Sequence, residues 1–266
     1  MYEDVRYEVD GPAAIITINR EERLNAFRGQ TIAELIHAFK RAWADQSVHG
    51  VILTGAGTRA FCVGGDVKQR AETGNYGPTE NGLFEIGYFH RLIRDVPKPV
   101  IAAVNGLAIG GGHVLHVLCD LSIAADHAKF GQAGPRVGSF DAGFGSAYLA
   151  RVVGEKRARE IWFLLEQYSA EQAERWGLVN KVVPAAELMP AARAWPDGDP
   201  FPEALVQRRH RPSGRLVPDG HGRAGRLRRH RRGQGRRRRL RREAQARLHH
   251  PPDLPLTRTG RVPAVP

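Results

Sequence analysis

The chain has 266 residues, two cysteines and a formal net charge of +12. That length suits one large domain or two small ones, and two cysteines exclude a disulfide scaffold and fit a reducing cytosol. The opening MYEDVRYEVD is acidic where a secretory leader is basic and then apolar. No apolar run approaches the roughly 20 residues that cross a bilayer, so the expectation is a cytoplasmic protein with no membrane partner.

The charge is uneven. Residues 1–193 carry 21 basic and 22 acidic side chains, whereas residues 194–266 carry 19 arginines, no lysine and six acids. The expected organisation is therefore a near-neutral body over 1–193 and an Arg/Pro-rich tail over 194–266.

In chain order, AAIITINR (13–20) reads as a strand. TIAELIHAFKRAWAD (31–45) has Ile32, Leu35, Ile36, Phe39 and Trp43 at helical spacing. HGVILTGAG (49–57) is a buried strand ending in a glycine turn, and KPVIAAVNGLAIGG (98–111) is another strand running into one. GHVLHVLCDLSIAAD (112–126) reads as a helix and then a strand, with the helix starting near His113. GSAYLARVVG and EKRAREIWFLLEQY (155–168) both read as helical. SAEQAERWGLVNKVVP opens with a capping box, Ser169 to Gln172, which predicts a short helix and a strand over 178–183. Strand–helix alternation implies an α/β fold with parallel strands.

From about residue 195 the pattern stops. Residues 196–266 contain no Ile, Tyr or Met and one Phe, which is too little to bury a core. The segment reads either as a disordered basic tail able to bind nucleic acid or as a GC-rich coding sequence translated out of frame. REAQARLHHPP (242–252) has a codon string that, read one nucleotide later, spells EKRKPDFTTH. Sequencing the coding DNA across residues 185–266 decides between them, and the shifted frame is the expectation, with nucleic acid an unlooked-for partner.

Two stretches put glycine amides where a strand ends and a helix begins. AFCVGGD supplies Gly64 and Gly65 before Asp66, and AIGGGHVLH supplies Gly110, Gly111 and Gly112. Amides at a helix N-terminus favour developing negative charge, and two aimed at one point form an oxyanion hole. A tight turn is the alternative for either pair alone. The GGG run is not a dinucleotide fingerprint, because G-x-G-x-x-G and its following acid are absent.

LNAF (24–27), AFCVGGD (60–66), KPVIAAVNGLAIGGGHVLHVLCDLSIAAD (98–126), FGQ (130–132) and AERWGLVNKVVP (173–184) together resemble the crotonase (enoyl-CoA hydratase/isomerase) superfamily over roughly residues 3–193. The resemblance implies a ββα spiral core, acyl-CoA thioester substrates, homotrimers or dimers of trimers, and no metal. It places the thioester oxygen on the amides of Gly65 and Gly111. It also implies that substrate and coenzyme A are bound along Ala26, Arg28, Ala60, Cys62, Gly64, Asp66, Lys68, Arg70, Tyr76, Gly110 and Val114. Hydratases of this superfamily use two glutamates, at the positions held here by Val114 and Gly134. Water addition by the two-glutamate route is therefore not expected.

GGGHVLHVLCD, FGQAGPRVGSFDAGFGSAYLARVVGEKRAREIWFL and NAFR resemble one branch, the 1,4-dihydroxy-2-naphthoyl-CoA synthases of menaquinone biosynthesis and the 2-ketocyclohexanecarboxyl-CoA hydrolases. Both do Dieckmann-type carbon–carbon chemistry, one closing a ring and the other opening one. The resemblance implies an enolate held by the oxyanion hole, with Ser139 and Asp141 handling the proton at the second carbonyl. Synthases with Gly at the position of Gly134 bind bicarbonate against residues matching Gln132 and Trp162; core packing is the alternative for both. Lys68, Arg70 and HVLH are synthase-like. GNYG and IRDVPKPV are hydrolase-like, and Val67 stands where both have Gln. Lys68 and Arg70 also read as a solvated face, and Tyr76 as an exposed loop residue. The synthase reading is preferred. In the synthases a partner subunit's C-terminal Tyr completes the site, but no Tyr follows Tyr168 here.

Overall fold

The computed structural model describes residues 2–77, 79, 81–141 and 143–196. The Arg-rich segment over 197–266, with its readings as a disordered or frame-shifted tail, lies outside the described residues.

The chain begins with strands β1 (Val5–Asp10) and β2 (Ala13–Ile18), helix α1 (Gly29–Ala44), and strands β3 (Gly50–Gly55) and β4 (Ala60–Cys62). Helices α2 (Val67–Thr73) and α3 (Ile86–Asp95) follow, then β5 (Val100–Val104), β6 (Leu107–Ile109), α4 (Gly111–Leu118), β7 (Leu121–Ala125) and β8 (Lys129–Gly131). Last come α5 (Phe144–Val153), α6 (Glu155–Leu164), β9 (Gln167–Ser169), α7 (Ala170–Arg175), β10 (Lys181–Val183) and α8 (Leu188–Arg193).

Strands β2, β3, β5 and β7 are nearly continuous runs of Val, Ile, Leu and Ala, the pattern of parallel strands covered on both faces. They form the centre of a six-stranded sheet ordered β1-β2-β3-β5-β7-β10, in which only the β1–β2 pair is antiparallel. Successive side chains point to opposite faces. Ile16, Leu53 and Ala102 therefore join Leu35 and Phe39 of α1 in the main core, while Ile15, Ile52 and Ile101 face Leu188 and Ala192 of α8.

The second sheet is small and positions the glycine turns. Its order is β4-β6-β8-β9, with β4, β6 and β8 parallel and β9 antiparallel to β8. The carboxyl ends of its three parallel strands therefore lie on one side, where open parallel sheets present their ligand crevice.

Four expectations are corrected. The strand expected over 98–111 divides at Asn105–Gly106 into β5 and β6, which lie in different sheets, because the Asn105 side chain donates to the carbonyls of Gly55 and Gly57 and Gly106 packs against the Arg59 backbone. The helix expected over 155–168 stops at Leu164, where Leu165 turns left-handed (φ 56°), and Gln167–Ser169 instead pairs with β8. The cause is pairing with β8, and the capping box that starts α7 is compatible with it. Ser169 is extended (φ −70°, ψ 162°), its hydroxyl accepting from the Gln172 amide and its own amide donating to Gln172 Oε1, which a continuing helix forbids. The strand expected from 178 pairs only over Lys181–Val183, because Leu178 and Val179 are buried in the preceding turn. Helix α4 begins at Gly111 rather than near His113.

The capping box yields a simple prediction. Ser169→Ala should lower unfolding stability by about 1 kcal/mol in denaturant melts. No change would mean that the Ser169 hydroxyl adds nothing to the start of α7.

Candidate active site

The chain leaves β4 at Cys62 and turns through Gly64, whose φ of +91° suits glycine alone. A side chain there would place its Cβ 2.8 Å from the Gly111 amide nitrogen, so the two turns touch backbone to backbone. Gly65 forms a parallel bridge with Phe27, in which the Phe27 amide donates to the Gly64 carbonyl (2.8 Å) and the Asp66 amide to the Phe27 carbonyl (2.9 Å). This pattern leaves the Gly65 N–H outside the bridge. Gly111 is the first residue of α4, so its N–H has no partner within the helix. The Gly110 amide donates to the Gly131 carbonyl (3.0 Å) and ties the end of β6 to the end of β8.

A buried ionic network fixes the first turn. Arg20 donates to Asp66 Oδ2 (3.0 Å) and to the Ala26 carbonyl, and lies 3.6 Å from Asp4. Asp66 Oδ1 accepts from the Gln69 amide and caps α2. Burial alone would raise the Asp66 carboxyl, but the Gln69 amide and the Arg20 guanidinium outweigh it and hold it below the usual carboxylate range. Asp4 is lowered in the same way, with Arg28 and Thr31 opposing burial. Asn25, left-handed at φ 56° and fully buried, accepts from the Arg20 amide and donates to the carbonyls of Ala56 and Ala60. The loop carrying Phe27 is thus pinned to β4.

Two clefts meet at the glycine turns. One, of about 400 Å³, is walled by Phe27, Phe84, Ile86, Phe140 and Phe144, with His90, Ser139 and Asp141 as its polar groups. The other, of about 440 Å³, runs past Leu24, Ala26, Val63, Lys68, Gly110 and Gly134. Gly65, Tyr76, Gly111 and Ser139 line both. Tyr76 stands against Gly65 and stacks on Phe84 at 4.7 Å between centroids. Gly64 and Asp66 also face the second cleft.

Asp141 sits ahead of α5, where its Oδ1 accepts from the amides of Gly143 (3.1 Å) and Gly145 (2.9 Å). Its Oδ2 lies 3.7 Å from His90 Nδ1. Burial pushes His90 down to about 4, against the opposing pull of Asp141, so the imidazole is neutral at physiological pH. His90 Nε2 is buried without a partner among the described residues.

Gln132 and Trp162 are both buried. The Gln132 side-chain amide lies 3.3 Å from His113 Nδ1, a histidine that burial pushes down to about 3. Trp162 Nε1, a buried donor, has no acceptor among the described residues, and that orphaned N–H fits an anion. Gly134 faces the Ser139 carbonyl too closely for any side chain (2.5 Å from a Cβ). Among the described residues, no cluster of His, Cys, Asp or Glu is grouped to hold a metal.

Five of the residues expected to bind substrate and coenzyme A stand away from the cleft walls. Arg28 is engaged by Asp4 and Glu3. Ala60 and Cys62 are buried in β4, and burial raises the Cys62 thiol to about 12, which leaves it inert. Val114 is buried beside Gly145. Arg70 approaches the site only through Tyr76, at 5.8 Å from its ring. Sequence reasoning missed Arg20 and His90. Each is a single polar residue brought in by contacts distant in sequence, and no local motif marks it.

A family model described as enoyl-CoA hydratase/isomerase matches residues 9–197. The structure is similar to an enoyl-CoA hydratase from Bacillus anthracis, with 32% identity, a TM-score of 0.66, and 73% of this chain and 76% of that one covered. It is also similar to an enoyl-CoA hydratase/carnithine racemase from Magnetospirillum magneticum, with 30% identity, a TM-score of 0.71, and 80% and 83% covered. A Pseudomonas aeruginosa protein matches with 31% identity, a TM-score of 0.70, and 77% and 89% covered.

The ionic network predicts both a substitution effect and a pH dependence. Arg20→Met leaves Asp4 and Asp66 buried without their shared cation and should cost about 3–5 kcal/mol. Both carboxyls are lowered in the folded state, so their contribution is present above the ordinary carboxylate range and lost as pH falls through and below it. Denaturant melts on an acid series should show that loss in the parent protein and a shallower one in Arg20→Met. Equal slopes would remove the network from the account.

Proposed function

The chain belongs to the enoyl-CoA hydratase/isomerase (crotonase) family, and on that premise we propose that it catalyses Dieckmann- or Claisen-type carbon–carbon chemistry on an acyl-CoA that carries a second carbonyl. The observation that carries this reading is the meeting of two amides, Gly65 and Gly111, without a hydrogen-bond partner among the described residues, at the junction of a groove and an aromatic cavity. A thioester oxygen placed there receives two donors. Such a site contributes about 3–4 kcal/mol per donor to a developing oxyanion. When the α-proton passes to a base in the cavity, the thioester becomes an enolate, whose charge rests on those amides. In the aromatic cavity Ser139 and Asp141 stand where the second carbonyl would lie.

Hydration is the less suitable chemistry. It calls for an acid and a base on the cavity wall, and Val114 is a buried alkyl group while Gly134 has no side chain. The preferred substrate is o-succinylbenzoyl-CoA, closed to a naphthoyl ring in the manner of menaquinone biosynthesis. Lys68 on the groove suits the phosphates of coenzyme A. A ring opening of the opposite sense on another substrate, 2-ketocyclohexanecarboxyl-CoA, is a second reading, supported by Asp141. Its carboxylate lines the cavity, with Oδ2 outside the two backbone contacts made by Oδ1.

Gln132, Gly134 and Trp162 are the residues that would hold bicarbonate, which supplies a base when bound. The orphaned Trp162 N–H supports that assignment. The reading includes a cytoplasmic homotrimer or dimer of trimers. Exposed Phe163 (75%) and Leu164 (55%) at the end of α6 support subunit contact, because exposed apolar surface of this kind seeks a partner.

The test is turnover of o-succinylbenzoyl-CoA, with and without bicarbonate, beside crotonyl-CoA hydration. The reading predicts naphthoyl-CoA formation that rises with bicarbonate and falls about 100-fold or more in Asp141→Asn. Hydration of crotonyl-CoA at a comparable or faster rate would contradict it.

A further inference from the structure

His90 lines the aromatic cavity beside Ser139 and Asp141, on the helix α3 that forms its far wall. Its side chain is 6% exposed. A neutral imidazole carries one proton, on either nitrogen. With the proton on Nε2, an N–H would be buried without an acceptor, and the Nδ1 lone pair would face the Asp141 carboxylate. With the proton on Nδ1, the N–H faces Asp141 Oδ2 and only a bare acceptor is buried, which is the less costly arrangement. The 3.7 Å separation from Oδ2 is too long for a hydrogen bond. The Nδ1–H is therefore held toward the cavity, steered by a carboxylate but not consumed by it.

We propose that His90 is a further catalytic residue: its neutral Nδ1–H is the hydrogen-bond donor to the oxygen of the substrate's second carbonyl, a counterpart in the aromatic cavity to the Gly65 and Gly111 amides at the thioester oxygen. The proposal rests on the carbon–carbon chemistry above. A neutral imidazole is a competent electrophile of this kind, since it stabilises an oxyanion without surrendering its proton.

In the ring-opening direction the oxygen of water bonds to the ketone carbon, one water proton passes to Asp141, and the C=O π pair moves to the ketone oxygen against His90. When that oxyanion re-forms its C=O bond, the ring C–C bond breaks and its pair becomes the enolate, with charge on the thioester oxygen at Gly65 and Gly111. The proton on Asp141 then goes to the α-carbon, and the second water hydrogen stays on the new carboxyl group. One negative charge moves from Asp141 to the ketone oxygen, to the thioester oxygen and back to Asp141, with a donor waiting at each oxygen.

The test is infrared spectroscopy of 2-ketocyclohexanecarboxyl-CoA bound to the full-length Asp141→Asn protein, in which the water proton has no acceptor, together with turnover by the single variants. The ketone band should lie below its free position in Asp141→Asn and in Asp141→Asn/His90→Gln, which keeps a side-chain N–H. It should return toward the free position in Asp141→Asn/His90→Leu. His90→Leu alone should lose about 100-fold in kcat with little change in KM, and His90→Gln should recover most of that loss. An unshifted ketone band in Asp141→Asn, or the same shifted band in the Leu variant, would overturn the assignment, as would kcat unchanged in His90→Leu. The thioester band reports separately on Gly65 and Gly111: if it does not move on binding, the underlying chemical reading fails and the His90 assignment falls with it.

Discussion

The structure depends on one close approach. Gly64 and Gly111 bring two loops together at a distance that any side chain on Gly64 would block. Because the loops meet there, the amides of Gly65 and Gly111 stand at one junction, and the groove and the aromatic cavity open from the same point. The parallel strands β4, β6 and β8 deliver the two turns, and Gln132 beyond them, to one side of a small sheet.

That approach would not hold on glycine alone, because glycine has the most conformational freedom to lose. The buried network around Arg20 supplies the restraint. It joins Asp66, one residue beyond Gly65, to the carbonyl of Ala26, one residue before the Phe27 that bridges Gly65. Breaking such a network costs more than a well-packed apolar replacement of the whole would gain or lose, because the remaining charges stay buried. Its value here is positional: it keeps an amide, which has no rotamer of its own, aimed at one place.

Much of the fold was legible. The apolar runs of β2, β3, β5 and β7, the periodicity of α1 and the capping box of α7 are local patterns, and each formed the expected element. The glycine turns were legible too, since strand-glycine-glycine-helix is a pattern within a few residues. What failed was set by tertiary pairing. Gln167–Ser169 follows a helical pattern, yet hydrogen-bonds to β8. Strands β4 and β8, three residues each, are too short to carry a pattern, whereas β1, which alternates as VRYEVD, and the amphipathic α3 have a local pattern that was not drawn on. In the site, Arg28 was expected on coenzyme A but is drawn to Asp4 and Glu3. Arg20 meets a partner 46 residues away. His90 looks like any polar residue of an amphipathic helix until the fold sets it beside Asp141.

The chemistry depends on where a thioester oxygen binds. A crystal structure of the protein with an unreactive acyl-CoA thioester would show this directly. The account predicts the thioester oxygen within hydrogen-bond distance of both Gly65 N and Gly111 N, with the acyl chain directed into the cavity toward His90 and Asp141. A thioester oxygen bound away from these two amides, or an acyl chain directed elsewhere, would contradict it.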